Sequence, residues 1–383
     1  MKTERLLSVL IALAMAGCAQ NEIIESAPEA DRTIRFDVYT GVQARGTETT
    51  TASIKTLNFG ILAYKTTNAG WNSDGATATP DWMYNEKATY DGSKWSYTNI
   101  KYWPTNTDKI SFFAYAPYDD DATDVGIELQ AITETGDPQI TFTQKTAAAD
   151  LVDLVVAEAK DKAFDPEAGS GGIHPNDNKV AFTFSHVLTK IDVKAKLVAS
   201  YGSDTKIVIT GLKLKSNAKL YKKATYKMAT GKWDYTSGAE AWGNESLDLS
   251  AIIDKSNAAS WTYTANQGKE LTTIGTTVFS TPSGGTQHFL YMIPVRDDQT
   301  ASQGLATAGD AQLEVTYDIV TKVGDGSSCA KSSTTKTVKL PAGAFEKGKS
   351  TAYTLKVGLN AIELGDVTVG IWTNGTDSDI DVK

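Results

Sequence analysis

The 383-residue chain carries 37 Lys and Arg against 46 Asp and Glu, and its formal net charge of −9 argues against nucleic acid or an acidic membrane surface as partner. Only two cysteines are present, Cys18 and Cys329, so no disulfide framework holds the fold. Stability must come from hydrophobic cores, and this length has material for two of them at roughly 100–200 residues per domain.

The chain opens with a short charged stretch, Met1 to Arg5, followed by apolar or small residues from Leu6 to Ala16 and then Gly17-Cys18. This predicts a signal peptide over 1–17. The run falls short of the roughly 20 apolar residues a spanning helix needs, and it ends in small residues that suit a signal peptidase. A cysteine placed directly after Ala16-Gly17 is the lipoprotein arrangement, in which the thiol is acylated and Cys18 becomes the membrane anchor. Met15 departs from the Leu usual at that position. Several acyl chains, at about 0.8 kcal/mol per buried CH2, hold such a chain to a membrane. No second transmembrane stretch follows, which places the rest of the chain outside the cytoplasm.

Residues 18–32 are polar and acidic and include Pro28, the composition of a tether. A strand pattern follows at once: Ile34, Phe36 and Val38 alternate with Arg35, Asp37 and Tyr39, and a period of two marks a half-buried strand. Similar short runs recur at Leu57–Tyr64, Ile110–Tyr115, Gln139–Phe142, Val180–Phe184, Ile191–Leu197, Ile207–Leu214, Phe289–Val295, Gln312–Val320 and Tyr353–Leu359, separated by Gly, Asn, Asp, Ser and Thr clusters. One segment, Ala147 to Ala159, reads as a helix, although Asp153-Leu154-Val155-Val156 within it reads equally well as strand. The pattern predicts an all-β protein of two tandem β-sandwich domains. The N-terminal one spans 33–176 and the C-terminal one 177–383, with Gly169-Ser170-Gly171-Gly172 in the boundary; the alternative is a long insertion inside one domain.

No catalytic constellation is recognisable. The three histidines, His174, His186 and His288, show neither HExxH nor HxH spacing, and there is no GxSxG elbow and no phosphate loop. No enzyme activity, cofactor or metal is therefore expected. His186 reads as a strand-end histidine hydrogen-bonded in the framework rather than a general base. Asp119-Asp120-Asp121 with Asp124 fits no EF-hand spacing and reads as a solvated acidic loop. Trp71, Trp82, Trp95 and Trp103, four of eight tryptophans, lie close in sequence. They read as core or edge packing before they read as a platform for sugar rings.

Three segments together carry a family resemblance. Tyr102-Trp103-Pro104 followed by Ile110 to Tyr118, the segment Asp153 to Ala157, and Phe184-Ser185-His186-Val187-Leu188-Thr189-Lys190-Ile191 resemble the fimbrillin (Mfa-like) family of Bacteroides-type bacteria. The resemblance covers the whole chain except Leu220 to Thr281, where no segment is recognisable. It implies transthyretin-like (Greek-key) sandwiches and assembly into type V pili. The precursor would reach the outer membrane as a lipoprotein held by lipid on Cys18, and an arginine-specific protease would cut after an arginine that follows the first strand. That strand would leave, and a strand of another fimbrillin subunit would fill the groove.

On that scheme 33–45 is the removable strand, with Ile34, Phe36 and Val38 facing the core. Arg45, in Gln43-Ala44-Arg45-Gly46-Thr47, is the favoured scissile residue, since a cut at Arg32 or Arg35 would not remove the strand. The donor strand is expected over 366–383, where Val367, Val369 and Ile371 alternate with Thr368, Gly370 and Trp372, and Ile380 and Val382 repeat the pattern. An ordinary last strand is the competing reading of the same residues. Possession of both ends suits a stalk subunit better than a tip. The expected role is structural, in adhesion and biofilm formation, with a host or bacterial surface ligand possible at the fimbrium. The competing function is a surface glycan-binding lipoprotein that displays exposed tryptophans.

Overall fold

The computed structural model describes residues 31–40, 49–105, 107–120, 124–165, 179–216, 220–242, 246–257, 261–281, 287–295, 308–372 and 380–381. Cys18, Arg45, the Gly-rich stretch 169–172 and Val382 lie outside the described residues. From Arg32 to Lys383 the chain clusters into one compact unit.

The architecture is all-β, as the alternation predicted. A seven-stranded sheet runs in the order Arg35–Thr40, Lys179–His186, Val155–Lys162, Lys109–Ala116, Phe59–Thr66, Met83–Tyr90 and Trp95–Ser96. Its central strands are apolar without alternation because both faces are covered. Ile61, Ala63, Phe112 and Ala114 enter one core with Phe36, Val38 and Phe182. Leu62, Tyr64, Phe113 and Tyr115 enter a second core with Ile140, Phe142, Tyr226 and Trp233. Gly60 sits in the middle of this packing because a Cβ there would meet Tyr115 Cε1 at 2.2 Å. At the sheet margin the alternation returns: along Lys179–His186 every second residue is buried, and Ala181, Thr183 and Ser185 face outward.

A second sheet covers the outer face, built on Gln139–Thr143 paired antiparallel with Tyr221–Lys227, so that Phe142 lies opposite Ala224. The remaining two sheets form a sandwich. One contains Thr189–Leu197, parallel to Lys349–Val357, which is antiparallel to Ile362–Ile371. The other contains Thr205–Ser216 and the long hairpin Ala311–Val323 with Ser328–Lys339. Between them lie Ile191, Val193, Ile207, Ile209, Leu313, Val315, Tyr353 and Leu355.

The sequence boundary at 176/177 falls among undescribed residues. Just beyond it, Lys179–His186 is hydrogen-bonded into the seven-stranded sheet, and just before it, Gln139–Thr143 pairs with a strand from the C-terminal half. The helix expected over Ala147–Ala159 is not formed. A short 3-10 turn at Ala148–Asp150 gives way to the strand Val155–Lys162, where β-branched Val155 and Val156 bridge two neighbouring strands. Helix appears instead at Thr51–Leu57, begun by a capping box in which the Thr50 hydroxyl accepts from the Ser53 amide at 3.1 Å and the Thr50 amide donates to Ser53 Oγ at 2.6 Å. A single turn also forms at Trp71–Asp74.

Candidate functional site

The first strand, Arg35–Thr40, occupies the margin of the seven-stranded sheet. It runs parallel to Lys179–His186, with Phe36 opposite Val180, Val38 opposite Phe182 and Thr40 opposite Phe184. Its far side is held mainly at the start, where the Ile34 amide donates to the Lys101 carbonyl at 2.9 Å and the Trp103 amide to the Arg32 carbonyl at 2.8 Å. The Tyr97 hydroxyl donates to the Ile34 carbonyl at 2.8 Å. Its inward side chains are thoroughly buried: Ile34 is 0% exposed, Phe36 4% and Val38 5%. Phe36 stacks on Phe182, centroids 5.5 Å apart, and meets Tyr97 and Phe112 edge-on. At about 1.5–3 kcal/mol for each buried side chain, the three contribute roughly 5–9 kcal/mol. A strand with one full ladder partner and three deeply buried side chains leaves a lined apolar slot when it is removed.

The arginines differ in environment. Arg32 is half-buried, with its guanidinium 4.3 Å from the Phe164 ring centroid and hydrogen-bonded to the carbonyls of Trp103 and Pro104. Arg35 lies within the strand, exposed on its outer face. Arg45 is in 41–48, outside the described residues, and the flanks of that segment are fixed: Thr40 pairs with Phe184, and the Thr49 amide donates to Asp153 Oδ2 at 2.7 Å.

The C-terminal strand, Ile362–Ile371, is seated in its own sheet. Val367 lies opposite Tyr353, Val369 opposite Thr351 and Ile371 opposite Lys349, while Val369 also faces Ile380. Its covering is thinner than that of the first strand, since Val367 and Val369 are only half-buried and Ile371 is 52% exposed.

His186 is a framework residue. Its Nδ1 lies 3.1 Å from Asp153 Oδ1, both side chains are shut off from solvent, and the ring stacks on Trp372 at 3.9 Å and 9°. The nearby Thr49 hydroxyl is spent on the Asp153 main-chain carbonyl at 2.7 Å. The pairing of these residues escaped the sequence reading. Asp153 and His186 both stood in recognised segments, but only the fold brings them to Thr49 and Trp372.

The acidic loop is occupied with its own structure: Asp119 accepts from the Ile127 amide at 2.7 Å, Asp120 pairs with Lys87 at 3.3 Å, and Asp124 pairs with Lys145 at 3.0 Å. Among the described residues no group of three or more His, Cys, Asp or Glu is placed to hold a metal ion. The glycan-binding reading needs tryptophans that reach the surface. All eight are described, and each is buried or half-buried. Trp71 packs on Tyr64 and Phe113, Trp95 edge-on to Phe59, and Trp103 edge-on to Phe112. Trp82, Trp95 and Trp261 are the half-buried ones, with Lys65 and Lys101 over the Trp82 ring and Lys206 over the Trp261 ring. Cys329 is free and half-buried beside Val208, Tyr263 and Val320.

The fimbrillin-like family model matches residues 47–372. The chain belongs to the fimbrillin-like family. It is 40% identical over 395 aligned positions to the fimbrium subunit Fim1C of Phocaeicola vulgatus, with both chains covered in full. A crystal structure of a fimbrial protein from Bacteroides vulgatus shares the fold with a TM-score of 0.76 and 38% identity, over 90% of this chain and 100% of that one. The fimbrillin-like fold thus supplies two strands of contrasting character at its seams, one deeply seated near the N-terminus and one lightly covered near the C-terminus.

Proposed function

We propose that this fimbrillin-like chain is a structural subunit of a cell-surface fimbrium that polymerises by strand exchange. The observation that carries the reading is the first strand: it lies at a sheet margin, yet it seals a slot with Ile34, Phe36 and Val38. Its removal exposes unpaired backbone groups along Lys179–His186 together with that slot, and an added strand restores both the ladder and the core. The incoming strand is 366–383 of another subunit, with Val367, Val369 and Ile371 as its inward residues. The family match beginning at residue 47, just past Arg45, supports Arg45 as the residue after which an arginine-specific protease cuts. Arg32, bound to the carbonyls of Trp103 and Pro104, is the poorer substrate. Before that cut, lipid on Cys18 holds the precursor to the outer membrane. With both a removable first strand and a donor strand, the subunit belongs in a stalk, and the fimbrium serves adhesion and biofilm formation. The two expected sandwich domains are 33–176 and 177–383, with Lys179–His186 of the second stretch completing the seven-stranded sheet of the first.

The test uses precursor lacking 1–17, with Cys18 replaced, treated with a trypsin-like protease at limiting dose. The expected result is a new terminus at Gly46 and fibres in electron micrographs, both lost in Arg45→Ala. Deleting 366–383 is expected to abolish fibres while leaving the cut intact. Cutting at Gly46 with only monomers, even with subunits at high concentration, would refute self-polymerisation.

A further inference from the structure

Asp153 and His186 stand in two of the segments that mark the family, and strand exchange as stated above gives neither a role. They belong to one buried cluster. Thr49, Asp153, His186 and Trp372 are 1%, 2%, 6% and 5% exposed. The Thr49 amide donates to one Asp153 oxygen at 2.7 Å, and the other lies 3.1 Å from His186 Nδ1. The His186 ring lies flat on Trp372, which in turn stacks on Tyr291 with centroids 5.6 Å apart. The Trp372 amide donates to the Gly348 carbonyl at 2.8 Å, and the Gly348 amide to the Leu188 carbonyl at 2.9 Å. Buried polar groups hydrogen-bonded to one another in this way fix an arrangement, because displacing one leaves its partner unsatisfied.

The cluster joins three places that matter to exchange. Thr49 follows Arg45 by four residues. His186 ends the strand against which the first strand lies, and is paired with Val155 on its other side. Trp372 is the residue through which the C-terminal strand leaves its sheet, directly after Ile371.

We propose that Asp153, His186 and Trp372 form a latch that keeps the C-terminal strand in its own subunit while the first strand is seated, and that loosens when the first strand leaves. The inference rests on the strand-exchange reading and adds its order of events: a subunit gives up its C-terminal strand only after its own groove has opened. Departure of the first strand turns Lys179–His186 into a sheet edge, with one of its two ladders gone. A shift of half to one ångström at its end costs a flat ring stack about a quarter to a half of its dispersion contact. Because the coupling is a free energy between two sites, it acts in both directions, and loosening Trp372 loosens the first strand by the same factor.

Hydrogen exchange read by mass spectrometry tests this on the full precursor and on the same protein after cleavage, with the hairpin Ala311–Lys339 as internal reference. Cleavage is expected to speed exchange over 362–372 by up to about threefold, the scale of a quarter to a half of one aromatic stack, and to leave the hairpin unchanged. In uncut precursor, Trp372→Ala is expected to speed exchange over 362–372 and also over 35–40, whereas Trp372→Phe, which keeps a ring on the imidazole, stays near wild type. Equal exchange over 362–372 before and after cleavage overturns the latch, and so does a Trp372→Ala effect confined to 362–372. Fibres from cleaved wild type are scored separately. Fibres with unchanged exchange retain strand exchange and eliminate the latch, and faster exchange without fibres does the reverse. If Trp372→Ala fails to fold, the wild-type comparison decides alone.

Discussion

Substituting Phe36 by Ala tests whether the first strand is a separable element. Phe36 is 4% exposed and touches three aromatic rings, those of Phe182, Tyr97 and Phe112. Truncating a buried phenylalanine costs about 3–5 kcal/mol. If the strand opens independently, that cost falls on its own opening equilibrium, and detachment becomes more frequent by a factor on the order of 10²–10⁴. Ile34 and Val38 still hold the strand in its seat most of the time. Hydrogen exchange over 34–40 should therefore accelerate by about that factor, the hairpin Ala311–Lys339 should be unaffected, and release of the strand after proteolysis should be faster than in wild type. An equal loss of protection in strand and hairpin, with the global unfolding midpoint falling by the full amount, would show that the strand belongs to the cooperative core. The reasoning that makes it removable would then fail.

Tyr97→Phe keeps the ring against Phe36 but removes the hydroxyl that donates to the Ile34 carbonyl at 2.8 Å. Urea unfolding should show a loss of about 0.5–1.5 kcal/mol in the precursor and a smaller one once the first strand has been released, when only the hydroxyl's bonds to the Lys101 backbone are left to lose. Asp234 accepts from the Thr236 hydroxyl at 2.6 Å and the Thr236 amide at 2.9 Å, with Lys227 at 2.9 Å, and these contacts hold its carboxyl well below the usual 3.8. Its folded value is depressed, so its stabilisation is complete above the unfolded value and fades as pH falls below it. Asp234→Asn should be less stable than wild type at pH 7, with the gap closing only below pH 3.8; a gap independent of pH would contradict the assignment. Gly60→Ala drives a Cβ against the Tyr115 ring and should cost about 1–3 kcal/mol, read as a lowered Tm.

What was legible in the sequence followed from side-chain period. The alternation of Ile34, Phe36 and Val38 gave a strand with one buried face, and the unbroken run from Ile110 to Ala116 belongs to a strand buried on both. Period carries no information about partners, which is why the parallel register of Arg35–Thr40 on Lys179–His186 could not be read. Nor could the pairing of Gln139–Thr143 with Tyr221–Lys227, since residues far apart in the chain set that sheet. The helix reading over Ala147–Ala159 failed because its alanines favour helix locally, whereas Val155 and Val156 complete two ladders. The latch was invisible for a related reason: stacking between His186 and Trp372 spans most of the C-terminal half of the chain, and neither residue is unusual at a strand end.

The contrast between the two strands bears on why proteolysis should control assembly. A first strand that remains tethered competes for its slot at an effective concentration that short linkers set near the millimolar range. An incoming strand with inward Val367, Val369 and Ile371 offers a comparable period-two face but meets the groove at the far lower concentration of free subunits. The tethered strand, with an aromatic at its centre, therefore wins in the precursor even where the two sequences bind the groove about equally well. A cut between Thr40 and Thr49 removes the tether without touching the groove, and the competition becomes one between two untethered strands. On the proposed route, control lies in connectivity rather than in any change of the binding surface, and cutting one peptide bond between the two elements would be enough to switch it.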